Sequence, residues 1–342
     1  MSAEQPPERG GRTTWPPVSV IMPVLNEERH LESAVKHVLA QSYPGEIEVV
    51  LAVGPSKDRT QEVADGLAAA DPRVKSVANP TGKTPAALNA AVKASSNPVI
   101  ARVDGHAMLP DDYLRVAVET LDATGAENVG GIMAAEGVSA FEQAVARAMT
   151  SRFGVGNAAF HTGGEAGPAD TVYLGVFRRQ ALDRVGGYDE EYVRAQDWEM
   201  NHRIRESGGL IWFQPRMRVS YRPRPNLKAL ARQYFDYGRW RRVVARQHRG
   251  TINLRYLAPP VAVVAIAAGT VVGAAGFRPA FAVPGAYVLG VVGAALGTGS
   301  GLAPAARAWL PLVYAAMHLP WGLGFLTSPP GLVPHRDDQD GM

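Results

Sequence analysis

The chain has no cysteine among its 342 residues, which excludes disulfides and thiolate-bound metals. Acidic residues nearly vanish from residues 222–256, where one acid, Asp236, faces ten Lys/Arg. Charge of either sign is missing from 257–277, 279–299 and 308–327, which hold no Asp, Glu, Lys or Arg. Each run has roughly 20 residues, the length an apolar helix needs to cross a bilayer. The mean hydropathy of −0.08 averages these runs with a polar domain and so conceals them. Residues 1–17 are polar, carry four prolines and lack an apolar core, so they read as a disordered lead rather than a signal peptide. The basic block is therefore expected on the cytoplasmic side. Three crossings would leave the acidic tail, Asp337-Asp338-Gln339-Asp340, on the far side, with Arg278 in the outer turn and Arg307 in the inner one. Pro284 leaves a broken or re-entrant second segment open, and the Ala/Gly content leaves a soluble helical domain as the competing reading.

Up to residue 102 the pattern alternates. Strand-like runs at 18–23, 48–53, 74–77 and 99–102 are separated by helical spacing at 28–41, 60–69 and 84–95. That order predicts a mostly parallel sheet covered by helices on both faces. Ligands in such sheets collect beyond the carboxyl ends of the strands, where Asn26-Glu27, residues 54–58 and Asp104-Gly105-His106 fall. Glycine is missing where a dinucleotide-binding domain needs it. The first strand runs into Pro23-Val24-Leu25-Asn26-Glu27-Glu28 instead of G-x-G-x-x-G. Further on, a strand at 128–133, a Gly-rich loop at 154–170 containing His161, and a strand at 172–178 precede a helix at 196–206. The loop reads as a lid or acceptor segment, and a last strand is expected at 210–213.

Two clusters carry chemistry. Arg102-Val103-Asp104-Gly105-His106 places a carboxylate and an imidazole two residues apart at a strand end, a pair able to hold a divalent cation and through it a diphosphate. Gln196-Asp197-Trp198-Glu199 opens a helix with a carboxylate able to take a proton from an attacking hydroxyl. The bland alternatives are a loop-capping Asp104, a hydrogen-bonding His106 and an Asp197 that merely complements the helix dipole. Aromatics and arginines interleave over 226–249, which suits a lipid headgroup region. Adjacency to the apolar runs favours that surface over nucleic acid.

These residues resemble the family-2 glycosyltransferases, inverting enzymes with the GT-A fold. The likeness covers about 18–240 and rests on five motifs: the 18–28 run, Ser56-Lys57-Asp58-Arg59-Thr60, residues 79–89, Arg102 to His106, and Gln196 to Glu199. Within the family the chain is similar to membrane-anchored exopolysaccharide enzymes of the succinoglycan type. The resemblance implies a GT-A nucleotide-diphospho-sugar transferase domain over 18–225, a basic amphipathic segment over 226–256, a transmembrane bundle of about three helices over 257–327, and a polar tail over 328–342. It implies that Pro23, Asn26, Glu27, Asp58, Lys83 and Asp104 bind the donor nucleotide. Asp104 and His106 would hold the metal, Asp197 would be the catalytic base, and Gln196, Arg239 and Trp240 would face the acceptor.

The departures from the family pattern are informative. His106 replaces the second carboxylate of D-x-D, which favours manganese over magnesium. Val53-Gly54 replaces an acidic pair that commonly contacts the base or ribose, and Gln196 replaces the Glu of the E-D pair. Gln233 and Arg239-Trp240 are too widely spaced for the Q-x-x-R-W of processive synthases. The expectation is an inverting transferase at the cytoplasmic membrane, multi-pass and with its catalytic domain facing the cytoplasm. It would move a sugar from a nucleotide-sugar, UDP-sugars first, to a lipid-linked acceptor. A polyprenyl-phosphate glycosyl synthase and a non-catalytic membrane assembly subunit are the alternatives.

Overall fold

The computed structural model describes residues 14–333, so most of the expected lead and the acidic tail at 337–340 lie outside the described residues. Strands β1 (Val18–Val24), β2 (Ile47–Val53), β3 (Val74–Ala78) and β4 (Val99–Arg102) alternate with helices α1 (Leu31–Leu39), α2 (Thr60–Ala70) and α3 (Thr84–Ala94). Then come α4 (Tyr113–Thr124), β5 (Asn128–Ala135), α5 (Ala140–Met149), and the single turns α6 (Arg152–Val155) and α7 (Ala159–Thr162). β6 (Gly167–Pro168), β7 (Tyr173–Arg178), α8 (Arg179–Val185), α9 (Gln196–Glu206) and β8 (Ile211–Tyr221) complete one sheet of order β3-β2-β1-β4-β7-β5-β8-β6. Four helices follow: α10 (Leu227–Gln247), α11 (Leu254–Ala274), α12 (Ala282–Thr298) and α13 (Pro304–Leu326).

β1 pairs in parallel with β2 and β4, with Val18 opposite Ile47 and Val99, and β2 with β3. β7 runs antiparallel between β4 and β5, so β5 and β8 point the same way as β1. The mostly parallel sheet expected from the alternation is present. Alternation along β1 sends Val18, Val20, Met22 and Val24 into a core shared with α1 and α4, and Ile21 into a second core under α3, α8 and α9. The outcome is a layered α/β unit whose ligand edge lies beyond β1, β2 and β4.

Trp15, placed in the lead by its neighbours' composition, belongs to the folded part, standing edge-on to Tyr43 at 5.4 Å. The Gly-rich stretch 154–170 contains α7 and the short edge strand β6 rather than one long loop. The last strand is longer than 210–213 because β8 resumes pairing with β5 after an irregularity, from Arg218 to Tyr221.

Among the described residues two helices are long and apolar enough to cross a membrane: α11, and the segment Arg278–Thr298 that runs from a 3-10 turn into α12. Their apolar windows are 17% and 11% buried, unlike core helices of a soluble domain. The third run, 308–327, is different. It lies in α13, which buries Leu310, Val313, Tyr314 and Met317 in a core shared with α5 and α10. Composition does not separate a lipid-facing helix from a protein-facing one. Two glycines let α10 and α13 cross closely. A Cβ on Gly238 would strike the Trp321 carbonyl, and one on Gly324 the Phe235 carbonyl.

Candidate active site

The loops after β1 and β2 are laced together. Asn26 sits at φ 58°, donates its N–H to Ser56 Oγ (3.0 Å) and accepts from the Lys57 N–H (2.8 Å). Asp58 accepts from the Thr60 hydroxyl (2.5 Å), the Thr60 N–H (3.1 Å) and the Glu28 N–H (3.3 Å). The Thr60 hydroxyl and these amides hold the Asp58 carboxyl below its ordinary value of 3.8. Asn26 and Asp58 thus shape the strand-end loops. A Cβ at Gly54 would meet Leu25 Cδ1 at 3.1 Å and Gly82 Cα at 3.4 Å, so a side chain there would be tight unless Leu25 moved.

A cleft of about 1270 Å³ opens at this edge. Pro23, Glu27, Asp104, His106, Gln196, Asp197 and Trp240 line it together, although the chain separates the first and last by more than two hundred residues. Asn26, Asp58, Lys83 and Arg239 do not line it. Lys83 precedes α3, its N–H donating to Thr81 Oγ1 at 3.1 Å, while its neighbours Gly82 and Thr84 face the cleft. Arg239 lies over the Phe235 ring at 5.7 Å.

At the floor, buried Arg102 ties the two clusters together. Its guanidinium reaches Asp104 Oδ1 at 3.1 and 3.3 Å and pairs on its other side with Asp197 Oδ1. Burial opposes the charge on Arg102, but Asp197 and then Asp104 outweigh it and raise the guanidinium further above its ordinary range. Asp197 is open to the cleft, with 38% of its side chain exposed. Burial pushes its carboxyl up, Arg102 pulls it down, and Asp104 pushes it up again. Ala195, just before α9, takes φ 60°, a conformation costly for a residue with a Cβ and concentrated at functional sites. Glu199, one turn into α9, is buried and pairs with Arg203 at 2.6 Å, and Arg203 also donates to the Val185 and Gly187 carbonyls, tying α9 to the end of α8.

His106 Nδ1 stands 2.8 Å from Glu27 Oε1, and that hydrogen bond raises the imidazole above its ordinary 6.5. A metal-bound imidazole engages a carboxylate through its second nitrogen in this way. No group of three His, Asp or Glu gathers as a cation cage among the described residues. A divalent cation held by Asp104 and His106 would have to take its remaining ligands from elsewhere, such as a diphosphate.

Similarity to known proteins decides the family. A sequence profile described as Glycosyl transferase family 2 matches residues 19–186. The succinoglycan biosynthesis protein ExoA of Rhizobium meliloti (strain 1021) is 36% identical over 313 residues, covering 90% of this chain and 93% of that protein. The chain belongs to glycosyltransferase family 2. A second relative, a dolichyl N-acetyl-alpha-D-glucosaminyl phosphate 3-beta-D-2,3-diacetamido-2,3-dideoxy-beta-D-glucuronosyltransferase of Methanococcus voltae, is 25% identical over 253 residues. That match covers 71% of this chain and 77% of the relative. The mannosyltransferase PcManGT of Pyrobaculum calidifontis, solved with GDP-Man and Mn2+, superposes with a TM-score of 0.61 at 20% identity, over 92% of this chain and 88% of that one. The shared fold is GT-A.

In this family-2 glycosyltransferase the cleft continues past Trp240 between α10, α11, α12 and α13, where Pro259, Ala262, Tyr287, Met317 and Trp321 form its walls. Sequence reasoning missed Arg102 although it stands inside the quoted motif. An arginine ending a buried strand must find carboxylates, and that rule was the available signal. Its second partner lies 95 residues away, beyond the reach of spacing.

Proposed function

We propose that this glycosyltransferase moves a sugar, with inversion, from a nucleoside-diphosphate sugar to a hydroxyl of a lipid-linked saccharide at the cytoplasmic membrane, in polysaccharide biosynthesis. The observation that carries this reading is the single cleft that joins Asp104 and Asp197 to a wall of apolar helices. Asp197 accepts the proton of the attacking hydroxyl as the new bond forms at the anomeric carbon and the bond to the nucleoside diphosphate breaks. Arg102 opposes the rise that burial imposes on the Asp197 carboxyl and spaces it from Asp104. Asp104 and His106 are the residues that would hold a divalent cation, manganese before magnesium, which when bound neutralises charge on the departing diphosphate. Pro23, Glu27 and the apolar patch at Leu25 and Gly54 would seat the nucleotide, with Asn26, Asp58 and Lys83 supporting its loops. Gln196 and Trp240 would border the acceptor, and Arg239 would support the helix that carries Trp240.

The test uses the full chain in lipid nanodiscs with UDP-, GDP- and dTDP-sugars and manganese, following nucleoside diphosphate release. Release with one nucleotide class, abolished by chelator and by Asp104→Ala, is the expected result. A product of retained anomeric configuration would sink the mechanism. One observation favours a second reading, a polyprenyl-phosphate glycosyl synthase. Asp197 is ion-paired by Arg102, and a phosphate acceptor needs no strong base. Near-normal turnover by Asp197→Asn would select that reading.

A further inference from the structure

The inner end of the cleft holds two arginines that the proposed chemistry does not use. Arg241 lies between aromatic rings, 4.5 Å from the Trp198 centroid and 4.1 Å from that of Tyr256. Arg255, on the first turn of α11, lies 4.6 Å from the same Tyr256 ring. Arg241 Nη1 and Arg255 Nε are buried without a hydrogen-bond partner, and so is Nδ1 of His161, whose ring stacks on Phe160 at 4.4 Å. Among the described residues neither arginine forms an ion pair with a carboxylate. Arginine does not discharge by losing its proton. Two half-buried guanidiniums lie on aromatic faces without a carboxylate partner, Arg255 donating only to the Tyr256 hydroxyl through Nη2, and an anion between them would complete both. Their planar forks match phosphate oxygens.

Position tells which phosphate. Trp198, under Arg241, follows Asp197 on α9, so the arginines belong to the α9–α10 side of the cleft, whereas Pro23 and Asp104 belong to its sheet edge. Beyond Arg255 the wall is Ala258, Pro259, Ala262 and Gly290 of α11 and α12, the two helices long and apolar enough to cross a membrane. We propose that Arg241 and Arg255, with His161, form an anion subsite that grips the phosphate or diphosphate of a lipid-linked acceptor, its apolar tail lying along α11 and α12. This rests on the reading of the cleft as the acceptor path of a glycosyl transfer, and adds the group by which the acceptor is held.

The test uses the full chain in phosphatidylcholine nanodiscs with chelator present. Phenylglyoxal modification of individual arginines is followed by mass spectrometry with farnesyl diphosphate, inorganic pyrophosphate or farnesol added. Farnesyl diphosphate should slow modification of Arg241 and Arg255 at least about fivefold but leave exposed Arg73 unaffected, while farnesol should protect neither. Arg255→Gln and Arg241→Gln should each weaken farnesyl diphosphate binding about tenfold, the scale of a lost charged hydrogen bond. No protection in the wild-type chain, or unchanged affinity in both variants, overturns the subsite. Equal protection by pyrophosphate assigns it to a soluble anion and overturns the lipid-borne ligand. Nucleoside diphosphate binding with manganese, read in parallel nanodisc samples without chelator, separates the two readings. If it persists without farnesyl diphosphate protection, only the subsite fails; if the wild-type chain binds no nucleotide, the transferase reading fails.

Discussion

The two ends of the cleft treat charge in opposite ways. At the sheet end Arg102 is clasped by Asp104 and Asp197, and His106 by Glu27. At the helix end Arg241 and Arg255 face rings and carry no carboxylate partner. A satisfied polar network fixes geometry before any ligand arrives, whereas half-buried cations without a carboxylate partner leave room for a ligand to complete them. The contrast teaches that one end is built for alignment and the other for capture.

The comparison breaks most completely at Asp197. Asp197→Asn should lower transfer to a hydroxyl acceptor about 10²- to 10⁴-fold, the worth of a positioned base, measured as product formed per enzyme. Arg102→Met sharpens the same end by removing the cation while keeping the bulk. Activity should fall on the order of 10²-fold through misplacement of the two carboxylates. The acid limb of the pH–rate profile should also move to higher pH, because burial and Asp104 would then raise Asp197 unopposed. A limb that stays in place would show that Arg102 does not set the ionisation of Asp197.

The seam between the two ends should yield next. Gly324→Leu drives a side chain into the Phe235 carbonyl and should destabilise the α10–α13 contact by about 1–3 kcal/mol, read as a lower midpoint in thermal unfolding. An unchanged midpoint would mean that the crossing is not tight. The smallest effect lies away from both ends. Glu142 closes a capping box with Ser139, whose N–H and Arg222 hold its carboxyl at about 2. A depressed carboxyl stabilises the fold above its ordinary 4.5, and that contribution fades as the pH falls from 4.5 through about 2. Glu142→Gln should flatten this acid limb of stability, whereas identical limbs would discount the cap.

The parallel part of the sheet was legible because its signal is local. β4 and α9 fall where hydrophobic period and turn residues put them, at Val99–Arg102 and Gln196–Glu206. α5 went unread although Ser139 and Glu142 spell a capping box, because the surrounding stretch gives no second cue. β7 is antiparallel within a sheet whose neighbours run the other way, a choice made by long-range pairing. The strand-end positions of Asn26 and Asp58 were readable, but not that their side chains turn into the loops instead of the cleft. Arg241 and Arg255 looked like two more cations in a basic run, since only folding shows which of those cations lack partners.

The tight crossing at Gly238 and Gly324 has a geometric consequence. It makes the junction between the sheet domain and the helices a stem rather than a tether. If α11 and α12 span the bilayer, the height of Asp197 above the lipid surface is a constant of the fold. Under the transfer proposed above, the acceptor hydroxyl would have to come to that height, because a stem of this kind does not let the sheet domain swing down to meet it.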